Sequence, residues 1–176
     1  SRLGDTESGL TLAQTVAERA EKDLGWDDPL TITAQGYLAG ALLECGRQED
    51  AIAVYDKLMP TMDRVLGELH PDTLVARVGQ ATCFNLVGRT LEAIELSEKS
   101  LAGHEQVFGP RHPKTLFAML ALANSYSQST RVSEAVSLHQ RAAEIMEERL
   151  GPHHPSTLLT QASIGNGYFF MGQFKE

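Results

Sequence analysis

An all-α solenoid of paired antiparallel helices is the architecture this sequence predicts, and three observations carry it. The first is the junction Gly109-Pro110-Arg111-His112-Pro113-Lys114-Thr115-Leu116. Its Gly, His-Pro and Thr-Leu members stand again at Gly67, His70, Pro71, Thr73 and Leu74, and at Gly151, His154, Pro155, Thr157 and Leu158. His70, His112 and His154 are 42 residues apart each time, and a weaker copy sits one step earlier at Gly25, Asp28, Pro29, Thr31 and Ile32. The second is a glycine in the same step at Gly46, Gly88 and Gly172, with Gly4 at the front and Thr130 as the exception. Ala51, Ala93 and Ala135 follow it by five residues, with Gly9 in the earliest slot. The third is the run of apolar residues at three- and four-residue steps between these marks, the signature of amphipathic helices. A period in this range signals a repeat array, and two marks per period divide each repeat into two helix-length segments.

Taken in order, residues 1–24 form a half repeat, a lone second helix. It begins at the Gly4 landmark, carries Leu10, Ala13, Val16, Ala17, Ala20 and Leu24, and closes at Gly25. Residues 25–66 are the first complete repeat. Asp28 before Pro29 is a good helix start, because the aspartate caps the first turn and proline has no N–H to lose there. Its first helix runs to about Cys45 with Leu38, Leu42 and Leu43 on the apolar side. Gly36 and Gly40 within it weaken the helix by about 1 kcal/mol each relative to alanine and permit a close backbone approach. Its second helix runs from about Glu49 to Leu66, and Pro60 inside it predicts a kink or a split between Asp56 and Pro60. Residues 67–108 and 109–150 repeat the scheme. Residues 151–176 supply only a first helix, with Leu158, Ile164, Tyr168, Phe169 and Phe170 before Gly172.

These features resemble the tetratricopeptide repeat. Leu38-Ala39, Leu42, Gly46, Ala51 and Tyr55 carry the signature in the first repeat, and Leu122-Ala123, Tyr126 and Ala135 carry it in the third. The 42-residue period and the Gly-x-x-His-Pro-x-Thr-Leu junction are similar to the longer repeats of kinesin light chains and to the sensor arrays of signalling NTPases. The resemblance implies one right-handed superhelical array over 1–176 and a protein-binding role. Kinesin light chains resemble one another in an Asn-Asn-Leu-Ala run of the first helix. Here Gly36-Tyr37, Val78-Gly79, Leu120-Ala121 and Ala162-Ser163 stand in its place, so their cargo preference does not transfer.

Composition narrows the function. Hydrophobic content of 42% and charged content of 22% suit a soluble protein with a core. The net charge of −8 speaks against nucleic acid and against an anionic membrane surface. There is no apolar run long enough to span a bilayer, and the polar, amphipathic stretch from Ser1 to Gly25 is unlike a signal peptide. Cys45 and Cys83 belong to no ligand cluster and read as buried free thiols, which suits a reducing, cytoplasmic setting.

The chemistry-bearing residues point away from catalysis. The junction histidines come one per repeat, about 10 Å apart if helices stack at ordinary spacing. Metal–nitrogen bonds of about 2 Å do not bridge that, so these histidines read as helix caps or loop packers. His153-His154 has no Cys or acidic partner at ligand spacing either. Glu92, Glu95, Glu98, Glu144, Glu147 and Glu148 fall on second helices as a solvated face. No phosphate-binding loop and no nucleophile elbow occurs. The expectation is therefore no enzyme, no cofactor and no metal.

The informative surface is the other face of each first helix, which lines the concave side in tetratricopeptide arrays. Thr33, Gly36, Gly40 and Glu44 fall there in the first repeat. The groove predicted for a protein or peptide ligand comprises Val75, Val78, Thr82, Asn85, Phe117, Leu120, Asn124, Gln128, Asn166 and Phe170, with Leu159 and Ala162 beside the last two. Thr82, Asn124 and Asn166 share one phase, and an amide both donates and accepts, so it suits a peptide backbone. No ladder of Lys or Arg offers a clamp for a C-terminal carboxylate. The unpaired terminal helices, with their aromatic residues and Phe174 just beyond, predict end-to-end self-association. The competing readings are a sensor array cut from a larger signalling NTPase and a structural self-associating segment.

Overall fold

The structure, a computed structural model, describes residues 2–173, with side-chain surroundings over 7–172. Two compact units divide the chain, Ser1–Arg89 and Thr90–Glu176. The described residues of the first form α1 (Arg2–Leu24), α2 (Pro29–Glu44), α3 (Gln48–Val65) and α4 (Pro71–Leu86). Those of the second form α5 (Thr90–Phe108), α6 (Pro113–Ser127), α7 (Val132–Leu150) and α8 (Pro155–Gln173). Within each unit every helix packs on its neighbour in the chain, and α2 also touches α4.

The repeated junction builds the helix starts. Asp28 accepts the Leu30 N–H at 2.8 Å, and in the three stronger copies a histidine Nδ1 does the same work. His70 accepts the Asp72 N–H at 3.2 Å, His112 the Lys114 N–H at 3.1 Å and His154 the Ser156 N–H at 3.2 Å. Proline follows each cap, where its missing N–H removes an unsatisfied donor. The threonine two residues on is fully buried in all four copies. Thr115 and Thr157 donate back to the carbonyls of Gly109 and Gly151, at 2.8 and 3.1 Å. Gly109 and Gly151 hold φ of 84° and 91°, a region that side chains resist.

The second glycine mark closes first helices. At Gly46 (φ 73°) the Arg47 N–H reaches back to the Leu42 carbonyl at 2.8 Å, and Arg89 repeats this onto Phe84. Both are the six-to-one closure of a left-handed C-terminal cap. Thr130 cannot take that backbone cheaply, and no non-glycine described has positive φ. The Ser129 hydroxyl substitutes, donating to the Tyr126 carbonyl at 2.8 Å and accepting the Arg131 N–H at 3.0 Å. Gly4 and Gly172 do not punctuate: α1 starts before one and α8 passes through the other. Ala51, Ala93 and Ala135 are buried to within 1% of completely, where a larger side chain has no room.

Two backbone expectations are narrowed. Of the kink or split expected at Pro60, the split does not occur, since α3 is continuous from Gln48 to Val65. Buried Tyr55, Leu58, Met59 and Met62 anchor α3 on both sides of the proline. Pro60 and Asp56 lie on the exposed face, where water can take up the freed carbonyl. The close approach that Gly36 and Gly40 permit is not used, because a Cβ built at either would meet nothing. The tight glycines are Gly79, where a Cβ would strike Tyr55, and Gly167, where it would strike Val136. Cys83 is fully buried and burial pushes its thiol up to about 11, but Cys45, at the end of α2, is only half-buried.

Candidate functional site

In the first unit the predicted face lies on α4. Val75 is 43% exposed, and Thr82 and Asn85 are half-buried. The Thr82 hydroxyl donates to the Val78 carbonyl of its own helix at 2.8 Å. Val78 departs from the prediction: at 1% exposure it belongs to the core, on the stripe it shares with buried Leu74 and Ala81 four residues before and three after it. The neighbouring α1–α2 pair carries a cleft of about 590 Å³ that Gly36, Gly40 and Glu44 help to line, with Leu10, Tyr37 and Cys45. A second cleft of about 490 Å³, lined by Val16, Leu24, Leu30, Thr33 and Tyr37, lies between the same helices.

The second unit gathers its predicted residues more closely. Phe117 is 56% exposed and joins Leu120 in a cleft of about 260 Å³ whose other wall is Met146, Arg149 and Leu150 of α7. Asn124 from α6 and Asn166 with Phe170 from α8 line another cleft of about 230 Å³. Gln128, exposed at the end of α6, lines neither. Exposed Asn124 and Asn166 hold their amides at the rim, where each can donate and accept. Sequence reasoning missed His139, which lines this cleft from α7 and is 4% exposed. It stands in phase with Tyr55 and Ser97 at 42-residue steps, a signal carried by the second helices rather than by the first-helix face.

Electrostatics around this face are local. Glu98 accepts from the Tyr126 hydroxyl at 2.6 Å and from Arg131 at 2.8 Å, tying α5, α6 and the start of α7. The tyrosine hydrogen bond, with the arginine beside it, holds the Glu98 carboxyl below the usual range. Burial and that carboxylate push Tyr126 up to about 12. Burial lowers the imidazoles of His104 and His139, which favours their neutral forms. The junction histidines spend their Nδ1 atoms on helix caps, and no group arranged to hold a metal ion occurs among the described residues. Among the same residues no helix is long and apolar enough to cross a membrane.

Comparison with known proteins places this geometry in a family. The family model described as tetratricopeptide repeat matches residues 30–102, 72–148 and 122–176. No curated protein matches. Two solved structures of a kinesin light chain candidate from Podosopora anserina, built of nearly identical TPR-like repeats, are 26% identical to this chain. One covers 98% of this chain and 81% of its own with a TM-score of 0.85, and the other 98% and 82% with 0.83. BtubC from P. vanneervenii is similar in fold, with a TM-score of 0.82 at 19% identity over 99% of this chain and 69% of its own. The fold class is thus the all-α solenoid of antiparallel helix pairs, which typically serves as a non-catalytic scaffold for protein interactions.

Proposed function

The chain belongs to the tetratricopeptide repeat family, and we propose that it is a non-catalytic cytoplasmic scaffold that binds a peptide along the first-helix face of its second unit. The observation that carries this is the pair of in-phase amides, Asn124 and Asn166, exposed at the rim of one cleft with Phe170 beside them. The amides suit the hydrogen-bonding groups of a peptide backbone, and Phe117, Leu120 and Phe170 offer apolar area for side chains. Val75, Thr82 and Asn85 form the corresponding surface of the first unit, read separately. The net charge of −8 disfavours nucleic acid and anionic lipid as partners.

The test is selection from a random twelve-residue peptide display library, followed by affinity measurement on the Asn124→Ala, Asn166→Ala double variant. Each lost hydrogen bond is worth about 0.5–1.5 kcal/mol net. The variant should therefore bind several-fold to about a hundredfold more weakly with an unchanged melting temperature. Binders whose affinity ignores both substitutions would remove this face from the function.

A second reading, self-association, is favoured by α8, where Leu159, Phe169 and Phe170 are 70%, 64% and 51% exposed. Burying two such aromatic side chains would contribute about 3–6 kcal/mol. Its check is molar mass in solution from micromolar to hundreds of micromolar, beside a Phe169→Glu, Phe170→Glu variant. A mass that never rises excludes it. A regulatory sensor array within a larger signalling NTPase remains compatible with the same interaction surface, as does the absence of cofactors and metals.

A further inference from the structure

Resting on the self-association reading, one side of α8 gains a partner from helix phase. Residues 42 apart compare α8 with α6. Leu158, Gln161 and Tyr168 are exposed on α8, but their counterparts Leu116, Met119 and Tyr126 are buried on α6. That side of a first helix is the one that packing within the array covers. Leu159, Asn166, Phe169 and Phe170 are exposed, and so are their counterparts Phe117, Asn124, Ser127 and Gln128. This second side stays open on α6 although α5 and α7 both pack against that helix. Exposure of Leu159, Phe169 and Phe170 therefore follows from helix phase.

The open side also differs in charge from the rest of the chain, whose net charge is −8. Within residues 90–173 every glutamate lies on α5 or α7, and no aspartate occurs. No residue of α8 is charged, and Lys114 is the only charged residue of α6. Copies of so acidic a chain repel one another over most approaches. A face without carboxylates is where that repulsion is weakest.

A two-fold contact presents a surface to its own image, so a group near the axis meets its like. Lysines or glutamates there would oppose one another. An amide is self-complementary, since it donates where its image accepts, and Asn124 and Asn166 stand at the rim of one cleft with Phe170. Apolar side chains are self-complementary as well, because each buries against its image. Phe117, Leu159, Phe169 and Phe170 are 56%, 70%, 64% and 51% exposed, and large apolar residues grouped on one face mark an interaction surface. We propose that two copies of this chain meet through the open side of α6 and α8 in a closed two-fold dimer, and that a bound peptide competes with the second copy for Asn124, Asn166 and Phe170.

Sedimentation equilibrium of the 176-residue chain, from micromolar to hundreds of micromolar, is the test. The expected mass levels off at two chains, and added salt tightens the dimer by screening the net charge. Phe117→Glu and Leu159→Glu should each weaken it about tenfold or more, because a desolvated charge enters the contact twice. Both positions are exposed, and thermal melting by circular dichroism checks that the fold is kept. Tyr168→Glu, on the other side of α8, should leave the dimer unchanged. A mass that climbs past two chains, and collapses with Tyr168→Glu but not with Leu159→Glu, overturns this surface while leaving self-association standing. A dimer indifferent to both Phe117→Glu and Leu159→Glu also overturns the surface, and one chain at every concentration overturns surface and self-association together. A library peptide that depends on Asn124 and Asn166 should convert dimer to monomer. One that binds the dimer without dissociating it overturns the competition.

Discussion

The α3–α4 contact of the first unit and the α7–α8 contact of the second hold the same place in the repeat and have opposite characters. In the first, Tyr55 is 5% exposed and packs onto Gly79, with Cys83 fully buried nearby. In the second, His139 is as deeply placed, yet a cleft remains beside it and its Nδ1 lacks a partner. Helix phase puts both residues toward the next first helix. What differs is which second-helix side chain fills the place over the glycine: Tyr55 packs onto Gly79 in the first unit, whereas Val136 packs onto Gly167 in the second and His139 is left beside the cleft. Repeat geometry is thus shared while the chemistry of each slot is set by two or three side chains.

The largest effect that would break this comparison is on stability. Tyr55→Ala should cost about 3–5 kcal/mol, the usual range for emptying a packed aromatic site. His139→Ala should cost markedly less, because the space beside it is already open. Urea unfolding, followed by the single tryptophan, Trp26, for the first unit and by helical circular dichroism for the whole chain, measures both. Equal costs would mean that the two slots are packed alike.

A smaller effect separates the units by pH. Burial lowers the folded-state imidazoles of His104 and His139 from their ordinary value near 6.5. The unfolded chain therefore binds protons first. Stability from these groups is full above about pH 6.5 and falls as pH drops through their folded values, by at most about 1.4 kcal/mol per pH unit for each. Tyr55 and Cys83 act at the other end, pushed up to about 12 and about 11, chiefly by burial. Their contribution is full below the ordinary values of 9–10 and falls as pH rises toward the folded ones. Tyr126 adds an alkaline limb in the second unit. Residue-resolved hydrogen exchange between pH 5.5 and 7.5 should show the imidazole loss in the second unit, and His139→Leu should remove its share. An unchanged slope in that variant would contradict the assignment.

The smallest difference concerns the junction threonines. Thr115 donates to the carbonyls of Gly109 and His104, at 2.8 and 3.2 Å, whereas the buried Thr73 hydroxyl has no partner. Thr115→Val should cost about 1 kcal/mol, and Thr73→Val should be neutral or stabilising, because it removes a buried polar atom that gains nothing. Paired urea midpoints for the two variants would decide it, and a larger loss at Thr73 would reverse the account.

Periodicity alone determined the helices, their starts and the helix-pair class. Caps, prolines and punctuating glycines act within a few residues, so Asp28, His70, His112 and His154 did in the structure what their spacing implied. The same local reasoning left a kink and a split at Pro60 both open, since whether a helix continues through a proline depends on what anchors it on both sides. Nor does it say whether the approach permitted at Gly36 and Gly40 is used, since closeness is a property of the neighbouring helix. For the candidate site, the sequence determined which residues share a helical phase, and so brought Asn124, Asn166 and Phe170 into view. Only tertiary packing decided that Val78 turns into the core and that His139 reaches their cleft from another helix. A cleft forms where side chains from three helices fall short of filling the space between them, and that remainder is not a property of any one segment.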